Sequence, residues 1–324
     1  MDQPLIDQTQ FEFPGQTAVY HGKVRDVYDL GQTLLFVASD RYSAFDRNLA
    51  LIPQKGALLT SISRWWFEQT AHIVPNHILA YPDLNVAWGK KYKVIPLEMI
   101  VRGYITGVTN TSLWHTYSEG RREYGTFSLP DGLHKNAQLP SPVLTPTTKF
   151  EAHDRNLTPD EAVSEGLLDK TTWDKLQQIS LRLFDFGQQT ASQNGLILVD
   201  TKYEFGLDED GHIVLIDEIH TPDSSRYWRA DTYESNLAAG DEPDNYDKEY
   251  LRLWYKARFD PYAEGEAPQV PAAAALELSH RYEYVYRQLT GHDFKPVTAP
   301  TAEVLQRIDA NVREALGAAK DMKE

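Results

Sequence analysis

The run Leu-Ile-Leu-Val-Asp-Thr-Lys-Tyr-Glu-Phe-Gly, from Leu196 to Gly206, constrains the chain more than any other segment because its side chains alternate with a period of two. That period is a strand. It sends Leu196, Leu198, Asp200, Lys202 and Glu204 to one face and Ile197, Val199, Thr201, Tyr203 and Phe205 to the other. The second face is apolar and is expected to pack on the core, whereas the first starts apolar and then presents three charges in a row. A second extended run, His212–Ile219, follows the turn residues Asp208-Glu209-Asp210-Gly211, so the two read as a hairpin. With a four-residue turn, Leu207 pairs with His212, Lys202 stands opposite Asp217, and Glu204 lies diagonal to Asp217. Diagonal neighbours sit ~7–8 Å apart, near enough for two carboxylates to share one cation. Mg²⁺ takes one or two carboxylates and completes its shell with water and substrate phosphate. Lys202 would add a point charge to the same phosphates. The same residues also describe a solvated face with a Lys202–Asp217 ion pair, worth ~0.2–1 kcal/mol. A turn of odd length would send Asp217 to the opposite side from Glu204. On the residues alone both readings stand.

At 324 residues the chain is expected to hold about two domains. With 41 % apolar and 24 % charged residues it has ordinary globular composition, and no run approaches the ~20 apolar residues of a bilayer span. The opening MDQPLIDQTQ carries acidic residues and no basic ones, which is the expectation of neither a secretory nor an organellar leader. There is no cysteine, so disulfides and thiolate metal sites are excluded, and the cytoplasm is the default compartment. Lys and Arg number 32 against 47 Asp and Glu, a net charge of −15. Nucleic-acid binding shows a basic footprint, so no nucleic-acid partner is expected. A phosphate-binding site in such a chain needs a local cluster of Lys and Arg.

The first hundred residues read as short strands, Thr17–Tyr20, Lys23–Leu30 and Thr33–Ala38, with Tyr92–Ile105 as a later one. After Pro53, apolar Leu58, Leu59, Ile62, Trp65 and Trp66 mark a helix with one buried face. Thr158, Pro159 and Glu161 fit a helix start with a capping box. A stronger helix runs from Thr172, with Trp173, Leu176, Ser180, Leu183 and Gly187 on one stripe, to Asn194-Gly195. Asp247–Arg258, Pro271–Leu289 and Thr301–Lys320 read as helices, and Asp260–Pro271 as a linker.

LVDTKYEFG, PLEMIVRGYITG, GKVRDVYDL, SDRYSAFD, IPQKGALLT and TPDSSRYW together resemble the SAICAR synthetase family, in consistent order from about residue 18 to about residue 258. The resemblance implies a ligase that joins L-aspartate to the carboxylate of carboxyaminoimidazole ribotide (CAIR), with ATP as co-substrate and Mg²⁺ as cofactor, through an acyl phosphate, in purine biosynthesis. It implies an α+β, SAICAR synthase-like (ATP-grasp/kinase-like) fold. A β-rich N-terminal domain over residues 1–106 and an α/β domain over 107–260 would hold ATP in the cleft between them, with a helical extension over 261–324.

The resemblance also assigns roles. Gly22-Lys23-Val24-Arg25 is in isolation only a turn at a strand start; in the family this hairpin covers the ATP phosphates, which gives Lys23 and Arg25 to the nucleotide. Val94–Glu98 would line the adenine, naming Val94 and Glu98. Arg102 would bind the ribotide, as the fork of a guanidinium suits carboxylate or phosphate. The family continues to a Gly-Ser pair, but Gly107 is followed here by Val108, so the hydroxyl is expected from Thr109 or Ser112. Ser224 and Arg226, in a polar turn, and Lys248 and Arg252, four apart on one helix face, would hold the ribotide, with Asp200 beside it. Glu204 and Asp217 would hold the metal, with Lys202 on the phosphates; Lys202 and Asp200 are the catalytic candidates. Asp46 and Lys55 lie near the site in the family. Lys149, His153 and Asp154 share a polar loop in which a lone histidine is ordinarily just exposed. A phosphotransferase acting on an alcohol and a non-catalytic nucleotide-binding module are the competing classes. Neither explains the substrate-side blocks.

Overall fold

The computed structural model describes residues 3–109, 111–150, 155–263 and 265–321. The chain falls into two compact units, Met1–Trp65 with His77–Lys91 and Trp254–Glu324, and Trp66–Asn76 with Tyr92–Leu253. Expected boundaries at 106 and 260 therefore shift. The long strand after Tyr92 belongs to the second unit, and the C-terminal helices belong to the first.

The first unit opens with strands β1 (Ala18–His21), β2 (Arg25–Asp29), β3 (Thr33–Ala38), β4 (Arg41–Ala44) and β5 (Arg47–Leu51), then helix α1 (Lys55–Thr70), β6 (Ile78–Asp83) and β7 (Val86–Lys90). The second contains β8 (Lys93–Tyr104), α2 (Leu113–Ser118), β9 (Gln138–Leu144), β10 (Thr147–Thr148), α3 (Pro159–Ser164), α4 (Lys170–Gln193), β11 (Leu196–Leu207), β12 (Ile213–Ile216), β13 (Ser225–Arg229), α5 (Ala230–Ala239) and most of α6 (Glu249–Lys256). Helices α7 (Ala272–Thr290) and α8 (Thr301–Asp321) return to the first unit.

In the first unit an antiparallel sheet runs β1-β2-β3-β7-β6. Its core of Tyr28, Leu35, Val37 and Val86 is completed by Val304, Ile308, Val312 and Leu316, one stripe of α8 at four-residue spacing. Each such aliphatic side chain stabilises by about 1.5–3 kcal/mol when fully buried. Arg307 adds a fork onto Asp83, both contacts at 2.9 Å. The tail that carries no family motif is thus part of this unit's core.

In the second unit β11 is central. It pairs with β8 along one edge, and β13 and β12 share the other. Helix α4 lies against it as the buried stripe of Trp173, Leu176, Ser180, Leu183 and Gly187 requires, starting at Lys170 behind an Asp169 cap. A Cβ on Gly187 would meet His220 Cε1 at 2.5 Å and Leu198 Cδ2 at 2.7 Å, so only glycine allows this approach. The capping box of α3 is present, with Thr158 N donating to Glu161 Oε2 at 2.7 Å and Glu161 N to Thr158 Oγ1 at 3.2 Å.

Two readings of the hairpin change. The register with β13 shifts between Leu198 and Asp200, which pair with the adjacent residues Tyr227 and Arg226. Adjacent residues point to opposite faces, so this β-bulge puts Leu198 and Asp200 on opposite sides. The turn after β11 is also one residue longer than expected. Leu207 pairs with Ile213, and Glu204 with Ile216, because Asp208 gathers the N–H groups of Asp210 and His212 and accommodates an extra residue. The register on this edge therefore does not set Lys202 opposite Asp217; on its other edge Lys202 pairs with Ile100 of β8.

His220 is fully buried, its Nε2 2.6 Å from Tyr203 Oη and its ring edge-on to Trp66 at 4.5 Å. Burial pushes its imidazole down to about 3. The unfolded imidazole titrates near 6.5. The folded value is the depressed one, so stability from this group is complete above ~6.5 and is lost as the pH falls toward 3. Asp247 and Asp40, raised by burial to about 7 and about 6, act in the opposite direction, so the comparison must be between variants. On going from pH 7 to pH 5, His220→Gln is expected to gain about 2 kcal/mol of unfolding free energy relative to the unsubstituted protein. Parallel pH profiles in urea denaturation would refute this.

Candidate active site

From Asp200 to Glu204 the alternation holds, and the charged face of β11 meets β8 with Asp200 opposite Arg102 and Glu204 opposite Glu98. This is not a solvated face: Asp200 is 4 % and Glu204 5 % exposed. Lys202 Nζ lies 2.7 Å from Glu98 Oε1 and 2.7 Å from Glu204 Oε1, bridging two carboxylates that would otherwise repel across the strands. Lys149 Nζ holds the other oxygen of Glu204, and Thr147 Oγ1 donates to Glu98 Oε2 at 3.2 Å. Burial alone would raise the Glu204 carboxyl, but Lys202 and Lys149 bring it down to about 2, so it is ionised at neutral pH. Burial opposes the Lys202 charge, yet Glu204, Glu98 and Asp217 hold its ammonium well above the ordinary lysine value. Asp217 thus acts on Lys202 without being its ladder partner. Strand β12 ends at Ile216 and Asp217 turns with φ 70°, so a left-handed turn does what the predicted register was expected to do.

Two residues before Lys202 the charge pattern reverses. Asp200 receives Arg226 Nη1 at 2.6 Å and Arg102 Nη1 at 3.5 Å. Arg226 also reaches Glu249 at 3.2 Å, and Glu249 receives Arg252 Nη1 at 3.1 Å. Burial opposes the Arg226 charge, but Asp200, Glu249 and Asp247 hold it above the usual range. Arg102 is the poorer partner. Burial, with Arg226 nearby, outweighs Asp200 and lowers its guanidinium to about 10. Lys248 pairs with Asp223 at 3.1 Å. Ser224 lies in the same turn, its carbonyl accepting from Lys202 N at 3.2 Å. Ser112, expected with Thr109 as a source of the hydroxyl, caps α2 and donates to Thr109 O at 2.7 Å. A Cβ on Gly107 would sit 2.5 Å from Ser112 Cβ and 2.9 Å from Arg226 Nη2, so the hydroxyl-bearing residue lies beside the guanidinium after a detour of five positions. Val94 faces Gly206 on the same ladder as Glu98.

In the first unit Lys23 Nζ pairs with Asp46 at 2.5 Å, and Gly22 N donates to Arg25 O at 2.8 Å to close the turn. Arg25 lies 5.9 Å from the Phe36 ring centroid. Buried Arg41 braces that turn from below, donating to Gly22 O at 3.0 Å, Lys23 O at 3.3 Å and Asp26 Oδ1 at 2.7 Å. Its role was not legible, since a motif arginine gives no sign of which backbone it will hold. Lys55, at the start of α1, is fully buried and lends positive charge to buried Asp40. Glu249 and Lys149 were likewise missed as site residues. One lay between candidate cations, the other in a loop without periodicity. His153 and Asp154 lie outside the described residues.

Glu204 and Asp217 are hard oxygen donors of the kind Mg²⁺ selects, and the two ammonium groups on Glu204 show that this carboxylate is built to hold positive charge. Their donor chemistry is the one Mg²⁺ takes. Asp208, Asp210 and His212 form the one close grouping of three potential ligands among the described residues, but they are occupied in closing the hairpin turn. No helix among the described residues is long and apolar enough to cross a membrane.

The family model for SAICAR synthetase matches residues 18–269. The chain belongs to the SAICAR synthetase family. A phosphoribosylaminoimidazole-succinocarboxamide synthase of Legionella pneumophila (strain Lens) is 52 % identical over 298 residues, covering 92 % of this chain and 95 % of the relative. The chloroplastic enzyme of the same name from Arabidopsis thaliana is 49 % identical over 310 residues, 95 % of this chain and 75 % of its own length. The SAICAR-synthase of Saccharomyces cerevisiae, solved with SAICAR, superposes with a TM-score of 0.74 at 33 % identity over 89 % of this chain and 99 % of that one. A type-2 SAICAR synthetase solved with ADP gives a TM-score of 0.66 at 25 % identity over 86 % and 100 %. The fold is the family's mixed α/β arrangement with N- and C-terminal domains. As a member of the family the protein is an ATP-dependent ligase of purine biosynthesis, converting CAIR, L-aspartate and ATP to SAICAR, ADP and phosphate.

Proposed function

We propose that the charged face of β11 divides this reaction between two adjoining clusters. Glu204 and Asp217 hold Mg²⁺; when bound, the ion offsets phosphate charge. Lys202 neutralises the ATP phosphates, and Val94 and Glu98 border the adenine; Lys23 and Arg25 are assigned to the nucleotide on the family resemblance alone. Arg102, Ser112, Ser224, Arg226, Lys248 and Arg252 bind the ribotide, and Asp200 orients it or assists the incoming amine. These assignments follow the family resemblance. The observation that carries them is the adjacency of a buried carboxylate–ammonium cluster at Glu204 and a guanidinium-rich cluster at Asp200 on one strand face. Both the nucleotide and the ribotide are polyanions, and the Lys and Arg in those clusters meet the local requirement set by a net charge of −15. The solved relatives holding SAICAR and ADP support the same reading.

A carboxylate is inert to amines near neutral pH because its leaving group would be oxide. In this reading a CAIR carboxylate oxygen attacks the γ-phosphorus, the bond to ADP breaks, and an acyl phosphate forms. The aspartate amine then attacks the acyl carbon, phosphate leaves, and the amine loses a proton. The protein's work is positioning and charge neutralisation. Coupled ADP release with Asp217→Asn tests the metal assignment. The variant is expected to lose about 10²–10³-fold in kcat and to need more Mg²⁺. A folded variant with unchanged turnover and Mg²⁺ requirement would remove Asp217 from the metal site.

A further inference from the structure

Every carbonyl of the Gly22–Arg25 turn is taken up within the first unit. Arg41 donates through Nη2 to Gly22 O at 3.0 Å and through Nε to Lys23 O at 3.3 Å. Val24 O accepts from Ser39 N at 3.0 Å and Ser39 Oγ at 2.8 Å, and Arg25 O accepts from Gly22 N at 2.8 Å. A trans peptide points its C=O and the following N–H in opposite directions. One guanidinium that captures Gly22 O and Lys23 O therefore turns the Lys23 and Val24 N–H groups away from itself. Neither N–H has an acceptor among the described residues. Successive backbone N–H groups left open in a turn make an anion-binding concavity.

The guanidinium is itself fixed. Arg41 is 5 % exposed, and fully buried Asp26 accepts from its Nη2 at 2.7 Å. Asp26 also accepts from Thr9 N at 2.7 Å and Thr9 Oγ1 at 2.8 Å, and lies 3.0 Å from His21 Nδ1. Burial alone would raise the Asp26 carboxyl, but Arg41, Thr9 and His21 hold it below the ordinary value. Arg41 Nη1 donates to Asp7 O, so the whole fork is engaged.

We infer that Arg41, anchored by Asp26, is a positioning residue for ATP: by holding the Gly22 and Lys23 carbonyls it presents the Lys23 and Val24 N–H groups to the phosphates. The inference rests on the assignment of this turn to the nucleotide. Arg41 acts through the backbone and needs no contact of its own with ATP. A lysine would keep a charge beside Asp26 but lacks the fork that spans two carbonyls.

Inhibition by ADP and by adenosine, which has the same base and sugar without phosphates, tests it in Arg41→Lys and Asp26→Asn. Either folded variant should raise the KM for ATP and the inhibition constant of ADP about tenfold. Adenosine inhibition and the KM for CAIR should stay within about twofold. Arg307→Gln breaks the fork onto Asp83 in the same unit without touching the turn, and should leave ADP and adenosine inhibition within about twofold. Unchanged ADP inhibition in folded Arg41→Lys, equal weakening of ADP and adenosine, or the same ADP loss in Arg307→Gln would overturn the role. Lys23→Ala separates this role from the assignment beneath it. If Lys23→Ala weakens ADP while Arg41→Lys does not, only the positioning role falls. If Arg41→Lys weakens ADP while Lys23→Ala does not, the turn holds phosphate through its backbone and only the Lys23 side-chain assignment falls.

Discussion

Glu204→Gln is expected to abolish Mg²⁺-dependent ADP release, with kcat lower by about 10³-fold or more. The substitution keeps the side chain's size and removes its charge. Glu204 is 5 % exposed and held between Lys202 and Lys149, so its loss leaves two ammonium groups facing a neutral amide. Lys202 retains Glu98 at 2.7 Å and the field of Asp217, which keeps the second unit folded; thermal unfolding should confirm this before kinetics are read. Only Asp217 of the two proposed ligands would then remain, and losing one of two carboxylates weakens the hold on the ion. Nucleotide titration in the presence and absence of Mg²⁺ separates the outcomes. If the metal assignment is right, Mg²⁺ strengthens nucleotide binding in the unsubstituted protein and has little effect on the variant. Near-normal turnover in a folded Glu204→Gln protein would end the assignment.

Arg226→Gln is expected to raise the KM for CAIR by about 10²-fold or more while the KM for ATP changes by less than about threefold. Arg226 connects Asp200 at 2.6 Å to Glu249 at 3.2 Å, and Glu249 in turn holds Arg252. Removing the guanidinium takes away the proposed ribotide contact and the ion pairs that hold Asp200 and Glu249. It also strands buried carboxylates, a loss of about 3–5 kcal/mol in stability for a broken buried pair. A double variant, Arg226→Gln with Glu249→Gln, should recover part of that stability without recovering the CAIR KM. Equal weakening of ATP and CAIR would argue that Arg226 supports the whole unit rather than one substrate.

The legible parts of this protein were those with local causes. Period-two alternation named β11, the Trp173–Gly187 stripe named α4, and Thr158-Pro159 with Glu161 named the start of α3. The resemblance proposed roles for Arg102, Arg226, Lys248 and Arg252, and all four lie in the second unit. The illegible parts depended on remote partners. Nothing in the Lys93–Tyr104 run announces that it will be the neighbour of β11, so Glu98 was read as an adenine-side residue before it appeared as a ligand of Lys202. The bulge at Leu198–Asp200 leaves no composition signal, and it determines which face the charges occupy. Units built from separated segments defeat any boundary drawn along the sequence.

Sequence by itself determined the inventory: an acidic chain without cysteine and a strand with alternating charges. Tertiary structure decided how those charges are used. It buried Asp200 and Glu204, gave each of them cations from distant segments, and brought Asp217 to Lys202 by a left-handed turn in place of the ladder register. The physical reason is range. Alternation and capping are set within a few residues, whereas the burial and pairing of a charge depend on which remote strand packs against it, and Lys149 lies 55 positions from the Glu204 it neutralises.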